Sequence, residues 1–209
     1  GEINAEIAFV FCSREPGESE ETDLFLEQVK SNRMPLVCFS YQKFKAEYGS
    51  RVKAGTVPSW RLGYDRDVMQ RLDSVHPALC VLAGYMLVAG PEICHKFNMI
   101  NLHPAAPTGP KGTWQEVIWQ LINSKARETG VMMHLVTPEL DRGPVVAYCA
   151  FAIRGEPFDK LWQEIEKLPE GSTEWKPARN PLFDLIREHG LAREFPLIIA
   201  TIKSFTEGK

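Results

Sequence analysis

Short runs of apolar residues recur along the chain and predict buried strands. They lie at Ile7–Cys12, Pro35–Phe39, Ala78–Gly84, Met99–Leu102, Val131–Val136 and Val145–Phe151. Because the runs are continuous rather than alternating, they are typical of parallel strands that are covered on both faces. Stretches with helical spacing or turn residues separate most of the runs, so the pattern predicts strands and helices in alternation.

Helical periodicity appears in the stretches between the runs and after them. The predicted helices are Thr22–Ser31, Arg66–Val75, Thr113–Asn123 and a C-terminal stretch near Glu194–Phe205. In the first of these, Thr22 is the predicted N-cap, and Leu24, Phe25 and Val29 form the predicted apolar face. The alternation as a whole predicts an α/β layer fold.

Two segments interrupt the alternation. Pro104–Gly112 contains three prolines and two glycines, so it predicts a turn-rich loop instead of a strand. Residues 156–181 begin with a helical pattern and then pass through several prolines and glycines. We interpret them as an inserted helix and loop within one domain that spans residues 1–209. The tryptophans of this insertion, Trp162 and Trp175, are core residues or walls of an acceptor pocket.

Composition and charge limit the possible partners. Apolar residues make up 44% of the chain and charged residues 24%, which is typical of globular proteins. The net charge of −3 offers no broad cationic surface to a nucleic-acid backbone, so we expect no nucleic-acid partner. Ile7–Cys12 is too short for a signal peptide, and no run is long enough to span a membrane. These features predict a cytoplasmic protein with no membrane partner.

The five cysteines predict free thiols. Cys12, Cys38, Cys80 and Cys149 lie inside apolar runs, where a thiol behaves as a small hydrophobic group. Their number is odd and no Cys-x-x-Cys pair is present, so neither a disulfide framework nor a zinc site is expected. We therefore expect reduced, mostly buried cysteines and no bound metal.

A polar pair ends the fourth predicted strand. Ile100 and Leu102 alternate with Asn101 and His103, so the two polar side chains point to the same side of the strand. Open α/β sheets bind ligands outside the carboxyl ends of their strands, which makes this pair a candidate for chemistry. On the local pattern alone, a turn asparagine and a packed polar histidine explain the pair as well.

A second segment follows His103 by 38 positions and reads Asp141-Arg142-Gly143-Pro144. The chain also carries VLAGYM at 81–86 and an arginine three residues before Tyr64-Asp65-Arg66. Together with Asn-x-His-Pro, these elements resemble the glycinamide ribonucleotide formyltransferase family over roughly residues 60–150. The resemblance implies a three-layer Rossmann-like formyltransferase fold with a mostly parallel central sheet.

The resemblance implies formyl transfer from 10-formyltetrahydrofolate to a small amine, with Asn101, His103 and Asp141 as catalytic residues. Amine attack on the formyl carbon creates an oxyanion, a nitrogen that must lose a proton and a folate nitrogen that must gain one. Asn101 can donate to the oxyanion, and His103 can donate a hydrogen bond and transfer protons. Asp141 can orient His103 and relay the amine proton through water, although a simple turn aspartate is the alternative.

The resemblance also implies an apolar slot for the pteridine ring of the folate. Carried over by position, its residues are Tyr85, Met86, Leu87, Val88, Val136, Thr137, Pro138, Glu139 and Leu140, with Met99 on the floor. Arg61 is expected near the carboxylate of the glutamate tail. Core packing is the alternative for the slot residues, and an ordinary surface position is the alternative for Arg61.

Several departures from the family pattern lie on the acceptor side. The family has a loop rich in glycine and serine after the first strand, and its backbone N–H groups hold a phosphate. Residues 12–23 here contain five acidic side chains and one glycine. Leu87 stands where the family has a second arginine, and Leu191-Ala192 replaces a Glu-His pair. We expect the folate chemistry to be retained, whereas the identity of the amine acceptor stays open.

Other functions remain open at this point. A formyltetrahydrofolate hydrolase would use water in place of the amine, and a sugar-nucleotide amine formyltransferase would need a nucleotide pocket. A non-catalytic protein would bind folate without turnover. Methionyl-tRNA formyltransferases are disfavoured, because no basic C-terminal domain is visible. The apolar face Leu197, Ile198, Ile202 and Phe205 seals the core or a dimer, so the chain is predicted to be a monomer or homodimer.

Overall fold

The computed structural model describes residues 3–49, 59–167 and 180–208. Strands and helices follow in this order: β1 Val10–Cys12, α1 Glu20–Ser31, β2 Leu36–Cys38, α2 Tyr41–Tyr48, α3 Ser59–Arg71, β3 Cys80–Leu82, α4 Pro91–Lys96, β4 Met99–His103, α5 Trp114–Asn123, β5 Glu128–Leu135, β6 Val145–Ala152, α6 Asp159–Glu166 and α7 Pro181–Thr206. All six predicted strands are present, and the predicted α/β fold with a mostly parallel sheet is confirmed.

The strands form two sheets. β1 and β2 pair in parallel over three register positions, and the last of these places Cys12 opposite Cys38. The second sheet has the order β3-β4-β5-β6. Its β5 and β6 are antiparallel, and their register shifts at Met133/His134.

Contacts within the chain cluster into two compact units, and the single domain over residues 1–209 stays a prediction. Unit 1 contains residues 1–3, 101–135 and 141–209, and unit 2 contains residues 4–100 and 136–140. The division falls inside β4, between Ile100 and Asn101. Because no linker or change in composition occurs there, the sequence carries no signal for it.

The core of unit 1 packs apolar faces of α5, α6 and α7 around the end of β6. Trp162 is 1% exposed and donates its indole N–H to the Ile153 carbonyl. The core interpretation of Trp162 is therefore confirmed. The helix of the predicted insertion is present as α6, while the rest of the insertion, including Trp175, lies largely outside the described residues.

The core of unit 2 is rich in aromatic side chains. Tyr64 is fully buried, stacks on Phe39 with ring centroids 4.9 Å apart, and donates its hydroxyl to the Phe39 carbonyl. Phe11 and Val37, which are register partners in the β1–β2 sheet, pack against the same cluster. This face of the small sheet is therefore an inner one.

The first helix differs from the prediction in its start and its buried face. Ser19 is the N-cap, and Thr22 lies inside the helix, where its buried hydroxyl accepts from the Ser19 hydroxyl. Leu24 and Phe25 are 61% and 44% exposed, so the predicted apolar face is wrong for both. The inner face is Thr22, Leu26 and Val29, because a satisfied threonine can replace an apolar residue there.

Two further helices begin earlier than predicted. α3 starts at Ser59 rather than Arg66, which places the buried Arg61 and Asp65 one turn apart on the helix. In the sequence, an arginine and an aspartate at these positions indicate a solvent-exposed helix face. In the structure they are buried because they pair with each other. α7 runs without interruption from Pro181 to Thr206 and contains Pro196, instead of starting near Glu194. A proline inside a helix removes one backbone donor and crowds the carbonyl four residues earlier, so the remaining turns of α7 must offset this cost.

The exposure of the five cysteines and of the apolar residues of α7 bears on two further predictions. All five cysteines are free, and each is only partly exposed, which agrees with the expectation of reduced, mostly buried thiols. On α7, Leu197, Ile198 and Ile202 are half-buried and Phe205 is 46% exposed. Among the residues with described coordinates, no helix has the length and apolar character to cross a bilayer.

Candidate active site

Unit 1 brings the three predicted catalytic side chains together with a second histidine. Asn101 and His103 come from β4, His134 comes from the end of β5, and Asp141 comes from the loop before β6. The Asp141 carboxylate lies between two imidazoles, with Oδ2 3.5 Å from His103 Nδ1 and Oδ1 3.6 Å from His134 Nε2. Its side chain is 7% exposed, so it is turned inward rather than towards solvent.

The proline-rich loop after β4 folds back over His103. The imidazole is 2% exposed, and its Nε2 lies 2.8 Å from the Pro110 carbonyl oxygen. Its Nδ1 faces the Asp141 carboxylate, so both ring nitrogens have an acceptor as neighbour. A neutral imidazole can donate to only one of them, whereas an imidazolium donates to both. A proton on either ring nitrogen of His103 therefore has an acceptor beside it.

Asp141 owes its position to an unusual backbone conformation. Its φ angle is +52°, in the left-handed region that aspartate tolerates better than most residues. The Gly112 N–H lies 3.5 Å from Asp141 Oδ2 and fixes the carboxylate from the other side. Gly112 itself has a φ of +111°, and a Cβ there would meet Glu116 Oε2 at 2.4 Å. A glycine is therefore needed at this position.

His134 is the functional candidate that the sequence analysis missed. Its Nδ1 lies 2.8 Å from the Leu135 carbonyl oxygen and donates to it. Its Nε2 therefore faces Asn101 Nδ2 at 3.3 Å and the Asp141 carboxylate. His134 sits inside a continuous apolar run and is 3% exposed, so the pattern indicated only a strand interior. The signal that could have revealed it is a histidine within that run.

The charges of the cluster are coupled. Burial alone raises the pKa of Asp141, but hydrogen bonding to His134, the charge of His103 and the Gly112 N–H outweigh burial, and the net pKa is lowered. Burial alone lowers the pKa of His134, but Asp141 and the Leu135 carbonyl outweigh it, and the net pKa is raised. The two shifts therefore have the directions expected of an ionised Asp141 beside His134. Within the described ranges, no group of three or more metal-ligating side chains could hold an ion.

Unit 2 contains the residues predicted to bind the folate. Among them is Arg61, which was predicted to lie near the carboxylate of the glutamate tail. Arg61 is 3% exposed and forms an ion pair with Asp65, whose other oxygen accepts from the Gly90 N–H at 2.8 Å. A second Arg61 nitrogen donates to the Tyr85 hydroxyl at 3.1 Å. The guanidinium is thus not a surface group: two of its nitrogens are paired, and its buried Nε has no hydrogen-bond partner among the described residues. Burial raises the pKa of Tyr85 to about 12, so its hydroxyl stays neutral.

The other predicted slot residues fall into two groups. Met99 is 6% exposed, and Leu87 and Val136 pack against the same core cluster, so these three are packing residues. Met86 and Leu140 are 67% and 53% exposed, which leaves their apolar side chains free to contact a ligand. The remaining members are partly or fully exposed: Val88, Thr137, Pro138 and Glu139.

Comparison with known proteins identifies the family. A profile of the family described as formyl transferase matches residues 1–166, which include the whole Asn101–Asp141 cluster. The chain belongs to the formyl transferase family. This membership confirms the resemblance drawn from the sequence motifs.

Two sequence relatives of this family member are phosphoribosylglycinamide formyltransferases. The protein of Schizosaccharomyces pombe is 28% identical over 129 residues, which cover 58% of this chain and 59% of the relative. That of Escherichia coli is 33% identical over 88 residues, which cover 41% of each. The chain thus spans less than two thirds of the length of each of these relatives.

A solved structure shows that the fold is shared. The phosphoribosylglycinamide formyltransferase of Campylobacter jejuni superimposes with a TM-score of 0.66 at 20% sequence identity. The match covers 96% of this chain and 81% of that one. At this level of identity the likeness concerns the fold.

Proposed function

We propose that this formyltransferase moves the formyl group of 10-formyltetrahydrofolate to a primary amine, with Asn101, His103 and Asp141 as catalytic residues. The observation that supports the proposal is the buried Asp141 carboxylate, 3.5 Å and 3.6 Å from two imidazoles. A bond forms between the amine nitrogen and the formyl carbon, and the bond from that carbon to the folate nitrogen breaks. One proton passes from the amine to the folate nitrogen.

Each side chain has a role that its surroundings permit. The Asn101 amide donates to the oxyanion of the tetrahedral intermediate. His103 donates a second hydrogen bond and transfers the proton, since its imidazole already lies between two acceptors. Asp141 stabilises the positive charge on His103 and receives the amine proton through water.

His134 acts as a positioning residue in this proposal. Its Nε2 lies 3.3 Å from the Asn101 amide nitrogen and 3.6 Å from Asp141 Oδ1, so it contacts both an oxyanion donor and the carboxylate. Without it, the Asn101 amide would lose one constraint on its orientation. Holding such donors in place before reaction is a large part of their effect.

The proposed folate site depends on exposed apolar side chains of unit 2. Met86 and Leu140 offer apolar surface that a pteridine ring would cover, while Leu87, Val136 and Met99 support the segments that bear them. Val88, Thr137, Pro138 and Glu139 complete the proposed walls. Arg61 contributes indirectly, because it holds the Tyr85 hydroxyl next to Met86.

The names of the two sequence relatives favour phosphoribosylglycinamide as the acceptor, and the loop after β1 favours an amine without a phosphate. In that loop the Gly17 N–H donates to Asp23 Oδ1 at 2.8 Å, and the Thr22 N–H donates to Ser19 Oγ at 3.2 Å. Two of the backbone donors that could hold a phosphate, those of Gly17 and Thr22, are therefore satisfied by the loop itself. A non-phosphorylated amine is our second candidate acceptor.

We place the reaction in the cytoplasm, in a monomer or homodimer.

The test is an assay of tetrahydrofolate release from 10-formyltetrahydrofolate by the purified protein. It compares no acceptor, phosphoribosylglycinamide, and a panel of amino sugars. His103→Ala should lower the rate by roughly 10²–10⁴-fold, because general acid-base catalysis is lost, and should leave folate affinity nearly unchanged. His76→Ala is the matched control, since His76 is exposed.

Equal losses of rate and folate affinity in His103→Ala would assign the imidazole a structural role and refute the catalytic one. Release without any acceptor would identify the chain as a hydrolase. Tight folate binding with no turnover on any acceptor would identify a non-catalytic binding protein.

A further inference from the structure

The small parallel sheet places two cysteines side by side. β1 ends at Cys12 and β2 ends at Cys38, and these two residues are register partners. The Phe39 N–H donates to the Cys12 carbonyl at 3.0 Å, so the ladder is intact at this position. Neighbouring strands lie about 4.8 Å apart, within the range of Cα separations that disulfides bridge.

Both thiols point to the same face of the sheet. Phe11 and Val37 pack against the core cluster of unit 2, and side chains alternate between faces along a strand. Cys12 and Cys38 therefore point away from that cluster, and both are partly exposed. The other cysteines differ: Cys80 and Cys94 pack against the core cluster, and Cys149 has Val131 as its register partner.

The pKa of the Cys38 thiol is consistent with the pairing of the two cysteines. Burial raises the pKa of the Cys38 thiol, and the neighbouring Cys12 thiol raises it further. The direction of this effect agrees with the register pairing of the two residues. The raised pKa also makes the Cys38 thiolate scarce at neutral pH, so its oxidation is slow without an alkaline medium.

We propose that Cys12 and Cys38 form a reversible disulfide with a small-molecule disulfide as the oxidant. One cysteine thiolate attacks the small disulfide, forms a mixed disulfide and releases one thiol. The second cysteine thiolate attacks the protein sulfur of that mixed disulfide, closes the Cys12–Cys38 bond and releases the second thiol. The two protein thiols lose two electrons and two protons, and the small disulfide gains them.

The position of the pair explains why the bond is reversible. The Cα spacing of the strands suits a disulfide, but its Cβ atoms must lie about 3.5–4.5 Å apart. Side chains of register partners stand side by side on one face of the sheet, so the bond requires the two Cβ atoms to tilt towards each other. Both strands end at these residues, so no later register pair is disturbed. A bond that needs such movement is reduced more easily than an unstrained structural disulfide.

The bond would act on the loops that follow both strands. Glu15, three residues after Cys12, accepts from the Ser40 N–H at 3.3 Å and from Lys43 Nζ at 2.7 Å. Ser40 follows Cys38 by two residues and is the N-cap of α2. Joining the strand ends would therefore constrain the loop after β1 and the start of α2 together.

The experiment treats the full reduced chain with glutathione disulfide at mildly alkaline pH, alkylates the remaining thiols, and maps disulfides by mass spectrometry without reduction. The expected product is a linked Cys12–Cys38 peptide pair, about tenfold more abundant than glutathione adducts of either cysteine, because the second thiol is held nearby. Excess reduced glutathione should remove the link.

Cys12→Ser and Cys38→Ser should each abolish the link and leave a glutathione adduct on the remaining cysteine, whereas Cys149→Ser should retain it. The wild-type map decides the question even if a variant fails to fold. Adducts on Cys12 or Cys38 without a link, or a link to another cysteine, would overturn the proposal. So would the absence of a link under conditions in which Cys149 reacts. None of these outcomes depends on formyl transfer.

Discussion

At the residue scale, the central feature is one carboxylate shared by two histidines. Asp141 can reach both imidazoles because its backbone adopts a left-handed conformation and the Gly112 N–H holds its Oδ2. The hydrogen bond between Asp141 and His134 contributes both to the lowered pKa of Asp141 and to the raised pKa of His134. Changing either member should therefore alter the pH dependence of stability as well as catalysis.

His134→Gln should remove a pH-dependent part of the stability. The folded-state pKa of His134 is raised, so its contribution is fully present below the unfolded pKa of about 6.5 and is lost as pH rises through the folded value. The pKa of Asp141 is lowered, so its contribution is lost as pH falls through that lower value. We expect the variant to lose about 1–2 kcal/mol near pH 5.5 and less at alkaline pH.

Urea unfolding of both proteins at several pH values measures this difference. His76→Gln, at an exposed histidine, is the control and should show no such trend. A loss that stays constant from acid to alkaline pH would show that His134 contributes by packing alone.

At the element scale, α5 fixes the loop that covers His103. Thr113 is the N-cap of this helix and directly follows Gly112, whose N–H contacts Asp141. Thr113 Oγ1 accepts from the Glu116 N–H at 3.3 Å, and Glu116 Oε2 accepts from the Thr113 N–H at 2.8 Å. This reciprocal capping box was not recognised in the sequence, although the helix boundary itself was predicted to begin at Thr113.

Thr113→Ala should lower the free energy of unfolding by about 1 kcal/mol, because the first turn of α5 loses the side-chain acceptor of its N-cap. Chemical denaturation measures the change. Thr206→Ala, near the exposed C-terminus of α7, is the matched control and should have little effect. Equal losses in the two variants would contradict a specific role for the capping box.

At the scale of the whole molecule, the packing of unit 1 depends on a close backbone approach at Gly130. In unit 1, a Cβ added at Gly130 of β5 would lie 2.6 Å from the Cys149 carbonyl oxygen and 3.2 Å from the Ala106 Cα. Ala106 belongs to the loop that folds over His103. The absence of a side chain at Gly130 therefore lets that loop lie against the sheet.

Gly130→Ala should lower the free energy of unfolding by about 1–3 kcal/mol, because the clash is with backbone atoms that cannot rotate away. Gly190→Ala on α7 is the matched comparison, since no atom lies within 4 Å of its added Cβ. A helix-interior glycine replaced by alanine should gain roughly 0.5–1 kcal/mol. Denaturation curves that shift in the same direction for both variants would contradict this account.

The amino-acid sequence by itself determined the strand and helix alternation and the placement of Asn101 and His103 on one side of a strand. Both follow from local periodicity, which needs no knowledge of distant residues. The catalytic role assigned to Asp141 came from its motif, and its approach to His103 came from the fold.

Only the tertiary structure decided the rest. His134 joins the site because β5 brings a residue of an apolar run next to β4. Arg61 is buried because Asp65 and Tyr85 pair with two of its nitrogens in the interior. The pairing of Cys12 with Cys38 depends on strand register. Such contacts join residues that are distant in sequence, and periodicity describes only near neighbours.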